Sequence, residues 1–150
     1  MRPKAEDAEG LVAQCLHRNG RFVEYRKPPK HSEEDKAGID FIITFRHSGI
    51  AFTLQVKTAD TAEVLGIWLP LPLALPPRLA SRISPEMLRS IRRHSHKHPD
   101  VRYMLFVPRP NGEQPPATII NRIWHEVMHL YENARTRYEI RILNQRAVGF

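Results

Sequence analysis

Cysteine is almost missing from this chain: Cys15 is the single thiol among 150 residues. One thiol cannot close an intramolecular bridge, so a disulfide-stapled scaffold is excluded and a reducing compartment is expected. Long apolar runs are missing as well. The longest uncharged apolar stretch, Val64 to Pro77, carries four prolines and is too short to cross a bilayer as a helix, so no membrane partner is expected. Acidic residues are in deficit, with 16 Asp+Glu against 23 Lys+Arg and a formal charge of +7. That balance favours phosphate-rich partners through counterion release and steering, and it says nothing about fold. No signal peptide is visible, because Met1-Arg2-Pro3-Lys4 leads straight into charged, helix-forming sequence. A cytoplasmic location is the expectation.

What is present is ordinary for a globular protein, with 41% hydrophobic and 26% charged residues. The length suits one domain, 1–150, able to bury roughly two thirds of its unfolded surface in a single core. Along the chain, Ala5 to Asn19 reads as a helix with Leu11, Val12, Cys15 and Leu16 on one stripe and Asn19-Gly20 as its stop. Arg21 to Tyr25 alternates as a short strand, and the polar segment Lys27 to Lys36 reads as a loop. Glu63 to Leu69 suggests a further short strand, while Pro70, Pro72, Pro76 and Pro77 forbid a helix there. Ser84 as N-cap and Pro85 at the first helical position start a second helix, which runs to about Arg93 on Met87, Leu88 and Ile91. Val101 to Val107 is an apolar strand closed by Pro108 and Pro110. A third helix within Pro115 to Arg137 and a last strand over Tyr138 to Leu143 complete the reading. Helices and strands in this mixed order, with a hairpin at the centre, predict an α/β fold around a mixed sheet.

That central hairpin is the most informative stretch. Its strands are Gly38 to Phe45 and Phe52 to Thr58, joined by Arg46 to Ala51 with a Ser-Gly pair suited to a tight turn. Folding brings Asp40 close to Gln55 and Lys57. Because strand side chains alternate, Gln55 and Lys57 share one face while Leu54 and Val56 take the other. A carboxylate, an amide oxygen and an ammonium converging at one end of a sheet outline a site for a divalent metal and a phosphate. Phosphodiester hydrolysis needs a hard cation on oxygen ligands with positions left for water and substrate.

An Asp opening one strand and Gln-x-Lys closing the next, after a helix with a Glu, resembles the PD-(D/E)xK nuclease superfamily over Ala5 to Val107. The style is that of the branch with Mrr-type restriction endonucleases and archaeal Holliday junction resolvases, where a Gln commonly replaces the second carboxylate and Ile39 stands in for the proline. The resemblance implies a restriction endonuclease-like αβββαβ core, here with an added C-terminal helix and strand. It implies a Mg²⁺- or Mn²⁺-dependent endonuclease acting on DNA as a homodimer. Glu9, with Glu6 in reserve, Asp40 and Gln55 would hold the metal, and Lys57 would be catalytic. Gln55 removes one negative charge, so metal affinity without DNA should be weak. The alternative is an inactive nuclease-fold protein that only binds nucleic acid.

Two further features compete for attention. His125-Glu126-Val127-Met128-His129 matches His-Glu-x-x-His and resembles a zincin metallopeptidase signature, which implies a zinc peptidase in which two His one helical turn apart bind zinc and Glu126 acts as general base. No Gly-x-x-His follows it, and the plainer reading places Ile120, Ile123, Val127, Leu130 and Tyr131 in the core with the histidines beside them. The segment Arg89 to His98 is basic, so Arg92, Arg93 and Lys97 are candidate phosphate contacts, or else a solvated helix end. Trp68 and Trp124 read as core residues. Leu69 to Pro77 suits a lid or a partner surface.

Overall fold

Alternation and apolar stripes generate the elements. The computed structural model describes residues 7–59, 62–69, 71, 74–99 and 101–148. In chain order these form α1 (Ala8–Arg18), β1 (Val23–Arg26), α2 (Glu33–Lys36), β2 (Phe41–Phe45), β3 (Ala51–Ala59), β4 (Leu65–Trp68), α3 (Pro77–Ala80), α4 (Pro85–Lys97), β5 (Tyr103–Pro108) and α5 (Pro116–Val148). The sheet order is β1-β2-β3-β5-β4. β1, β2 and β3 form an antiparallel meander, β5 runs parallel to β3, and β4 pairs antiparallel on the far side of β5. The connection from β3 to β5 contains β4, α3 and α4. The fold is α/β, a five-stranded mixed sheet flanked by helices.

Strand alternation divides the core in two. Phe41, Ile43, Phe45, Leu54, Val56, Leu105 and Val107 face α1 and α5. Ile67, Met104 and Phe106 face α3 and α4, which contribute Leu79, Met87 and Ile91. Trp124 stacks on Phe45 at 6.2 Å between ring centroids, and Trp68 packs against the same cluster, so both tryptophans belong to the core. Cys15 does too, and burial pushes its thiol up to about 12, which keeps it protonated and inert. Gly66 lets α5 approach β4 closely: a Cβ there would lie 3.2 Å from Leu130 Cγ.

Several sequence expectations are corrected. The segment Tyr138 to Leu143 is not a strand but the continuation of α5, a single helix of 33 residues and about 50 Å. Tyr138-Glu139-Ile140-Arg141 alternates like a strand, yet no proline or glycine separates it from the helix before it. Ion pairs from Arg135 to Glu132 and Glu139 carry the helical register across the supposed boundary. α4 runs past Arg93 to Lys97, because its buried stripe continues from Met87 and Ile91 to His94. The polar segment before the hairpin holds α2, with Ser32 Oγ accepting the Asp35 N–H at 3.2 Å. Pro77 opens α3 rather than forbidding it, since a proline at the first helical position has no hydrogen bond to lose. Glu6, Pro70 and Pro72 lie outside the described residues.

Candidate active site

Asp40 owes its place to a chain of local signals. Past α2 the chain ends in a Schellman motif: Ile39 N–H donates to Glu34 O at 3.1 Å and Gly38 N–H to Asp35 O at 3.0 Å. This closure needs a left-handed residue, and Gly38 supplies it with φ +86°. The His98 ring fills the space beside it, 3.1 Å from where a Cβ would lie. The chain then turns directly into β2, with Asp40 N–H donating to Leu54 O at 2.9 Å.

The pairing of β2 with β3 sets Phe41 opposite Leu54, so the next position out brings Asp40 level with Gln55. Asp40 Oδ2 accepts the Val56 backbone N–H at 2.8 Å, the donor that β2 leaves unpaired where it begins. Val56 faces the α1 and α5 core, and Gln55 and Lys57 therefore face the α4 layer. Gln55 is only 8% exposed, and its Oε1 is buried without a hydrogen-bond partner. A buried carbonyl oxygen left unpaired costs about 1–3 kcal/mol, so this atom is suited to a ligand that supplies positive charge.

Charge gathers around these residues. Burial pushes the Asp40 carboxyl up to about 6; the Val56 hydrogen bond opposes this, Glu9 adds to it, and Lys57 and Lys27 oppose it. Glu9, in the first turn of α1, is exposed and pairs with Lys27 Nζ at 3.2 Å. Lys27 Nζ also lies 5.2 Å from the centre of the Phe41 ring. Lys27 thus belongs to the site, although the sequence reading left it in a loop. From the other side, α4 contributes His94, which is 8% exposed with Nε2 unpartnered. Burial first, then Lys57, His98 and Lys97, bring its imidazole down to about 4, so it is neutral near pH 7. The sequence signal for His94 was its spacing from Met87 and Ile91, which continues the buried stripe.

Arg92, Arg93 and Lys97 are exposed on the last turns of α4, on the helix that carries His94. The His-Glu-x-x-His residues lie elsewhere. His125 and His129 point to solvent from α5, while Glu126 is buried and bound by Arg78 at 2.9 Å and Arg82 at 3.0 Å. Both Glu126 oxygens are committed to those guanidinium groups, which joins α5 to α3 and the turn after it. Among the described residues no group of three or more His, Cys, Asp or Glu is placed to hold a metal ion. At the hairpin the donor set is instead one carboxylate, one amide oxygen and the nearby Glu9. Comparison of the chain with protein-family models, curated proteins and solved structures finds no match.

Proposed function

We propose that this chain is a Mg²⁺- or Mn²⁺-dependent endonuclease that hydrolyses phosphodiester bonds in DNA. The observation that carries the reading is the convergence of Asp40 and Gln55 at the start of β2, with an unpaired Gln55 oxygen and Lys57 on the same face of β3. Asp40 and Gln55 would hold the cation, and Glu9 would join them on leaving Lys27. A bound cation supplies Lewis acidity toward a phosphoryl oxygen and makes its water more acidic. Lys57 holds positive charge where the phosphate would lie, stabilising charge that builds up on it. Neutral His94 beside Lys57 adds no competing cation there. Arg92, Arg93 and Lys97 extend the basic surface along α4 for backbone phosphates.

The order α1, meander, α4 and then β5 parallel to β3 supports this reading, because it is the αβββαβ order that the PD-(D/E)xK resemblance implies. The strand β4, which lies in the connection from β3 to β5 and pairs antiparallel with β5, and the long α5 are additions to that core. Cutting both strands of a duplex would pair two copies of the chain.

A second reading, a DNA-binding protein without cleavage, is favoured by the neutral Gln55 and by the Glu9–Lys27 pair, which leave Asp40 as the one unpaired carboxylate among these ligands. One experiment separates the two. Plasmid and branched DNA are incubated with the protein in Mg²⁺ or Mn²⁺, beside Asp40→Ala and Lys57→Ala variants. Metal-dependent cutting lost in both variants is the expected result. Binding without cutting supports the second reading, and neither binding nor cutting overturns both.

A further inference from the structure

On the α5 face of the sheet, a cleft of about 530 Å³ opens where the distal part of α5 passes the starts of β3 and β5. That volume is in the range of small-molecule sites. Phe52 and Tyr103 form its floor, their rings 5.1 Å apart and both buried. Arg102, Arg137 and Arg141 stand around it. Arg137 and Arg141 are one helical turn apart and so lie on one side of α5.

These arginines share one cleft, and no carboxylate pairs with any of them among the described residues. Arg135 on the same helix as Arg137 and Arg141, by contrast, is held by Glu132 and Glu139. Arg102 gives one nitrogen to Pro99 O and keeps its other donors. Three guanidinium groups around one cleft repel each other, and an anion with several oxygens relieves that repulsion through forked hydrogen bonds. The fourth feature is aromatic. Tyr138 is 45% exposed at the same cleft, and the Arg141 guanidinium lies 5.7 Å from its ring centre. A half-bare ring beside a cationic cluster suits a ligand with a flat apolar part next to its anion.

We propose that this cleft binds a nucleoside phosphate, with its phosphate among Arg102, Arg137 and Arg141 and its base against Tyr138. The ligand is either a free nucleotide or one unit of a nucleic-acid strand. The inference does not rest on the nuclease reading: Phe52 and Lys57 are five residues apart along β3, about 17 Å, and face opposite sides of the sheet.

Binding is measured in EDTA by calorimetry for ATP and inorganic phosphate and by anisotropy for a labelled oligothymidine strand. The proteins are wild type, Arg137→Ala, Arg141→Ala, Tyr138→Ala and, as a control on α4, Arg89→Ala. Each cleft arginine variant should weaken ATP about tenfold. Tyr138→Ala should weaken ATP about fivefold or more while leaving inorganic phosphate unchanged, and Arg89→Ala should change neither. Strand binding that ATP displaces and that Arg137→Ala weakens assigns the cleft to a strand; ATP binding alone assigns it to a free nucleotide. The proposal is overturned if neither ligand binds, if binding ignores Arg137 and Arg141, or if phosphate matches ATP and Tyr138→Ala has no effect.

Discussion

Asp40 Oδ2 and the Val56 backbone N–H form a 2.8 Å hydrogen bond that ties the acid of the candidate site to the strand carrying Gln55 and Lys57. The bond holds the carboxyl in place but does not offset what burial does to its charge. Asp40 remains near 6, above the 3.8 of an unperturbed aspartate.

That shift has a sign in stability. A carboxyl raised in the folded state contributes stability fully below pH 3.8, and this is lost as pH rises through about 6. Asp40→Asn keeps an acceptor for Val56 and removes the charge. It should stabilise the protein at neutral pH by about 1–2 kcal/mol, discounted for partial exposure, and by nothing near pH 4. Thermal melts at the two pH values test this, and equal melting of both proteins at neutral pH would refute it.

His94 titrates with the opposite consequence. Its folded value of about 4 is below the ordinary 6.5, so its stabilising contribution is present above pH 6.5 and is lost as pH falls toward 4. His94→Gln should remove about 2 kcal/mol of acid sensitivity over that interval. Between pH 6 and 4 the Asp40 contribution runs the other way. Urea melts are therefore compared in the Asp40→Asn background, where a pH profile unchanged by His94→Gln would count against the assignment.

A cation at Asp40 must compete with a proton. Mn²⁺ affinity, read by calorimetry, should be level above about pH 7 and fall about tenfold per unit below 6. Gln55→Ala should weaken it and Asp40→Asn should remove the pH dependence along with most of the binding. Affinity that stays flat from pH 5 to 7 would place the cation elsewhere.

The close contact of β4 with α5 predicts a steric cost. Gly66→Val puts a branched side chain against Leu130 and should destabilise by about 1–3 kcal/mol in urea unfolding. Leu130→Ala added to it should cost less than in the wild-type background, since the two share one space. Simple additivity would mean that the contact is relieved without strain.

Glu126 should behave as a structural acid. Glu126→Ala takes from Arg78 its carboxylate partner and leaves Arg82 with Glu63 and the Val64 carbonyl, and is expected to cost about 3 kcal/mol, whereas His125→Ala and His129→Ala, both exposed, should stay within about 0.5 kcal/mol. Near-stoichiometric zinc that disappears with His125→Ala and His129→Ala would revive the peptidase motif.

Local patterns carried the hairpin. The alternation over β2 and β3, the Ser-Gly turn and the Ser84-Pro85 helix start are readable because strand alternation and capping operate over a few neighbouring residues. From them the shared face of Gln55 and Lys57 follows directly. The same local reading failed over Tyr138 to Leu143, where alternation suggested a strand but no sheet edge receives it and helical ion pairs prevail. It also missed α2, whose Ser32 cap lay in the segment read as a loop and whose Gly38 stop was read as the first residue of the hairpin strand. His94 beside Lys57, Lys27 beside Glu9, and Glu126 between two arginines join segments distant in the chain. Such neighbours are set by how the helices pack across the sheet, and burial, charge and proton affinity at the site follow from that packing.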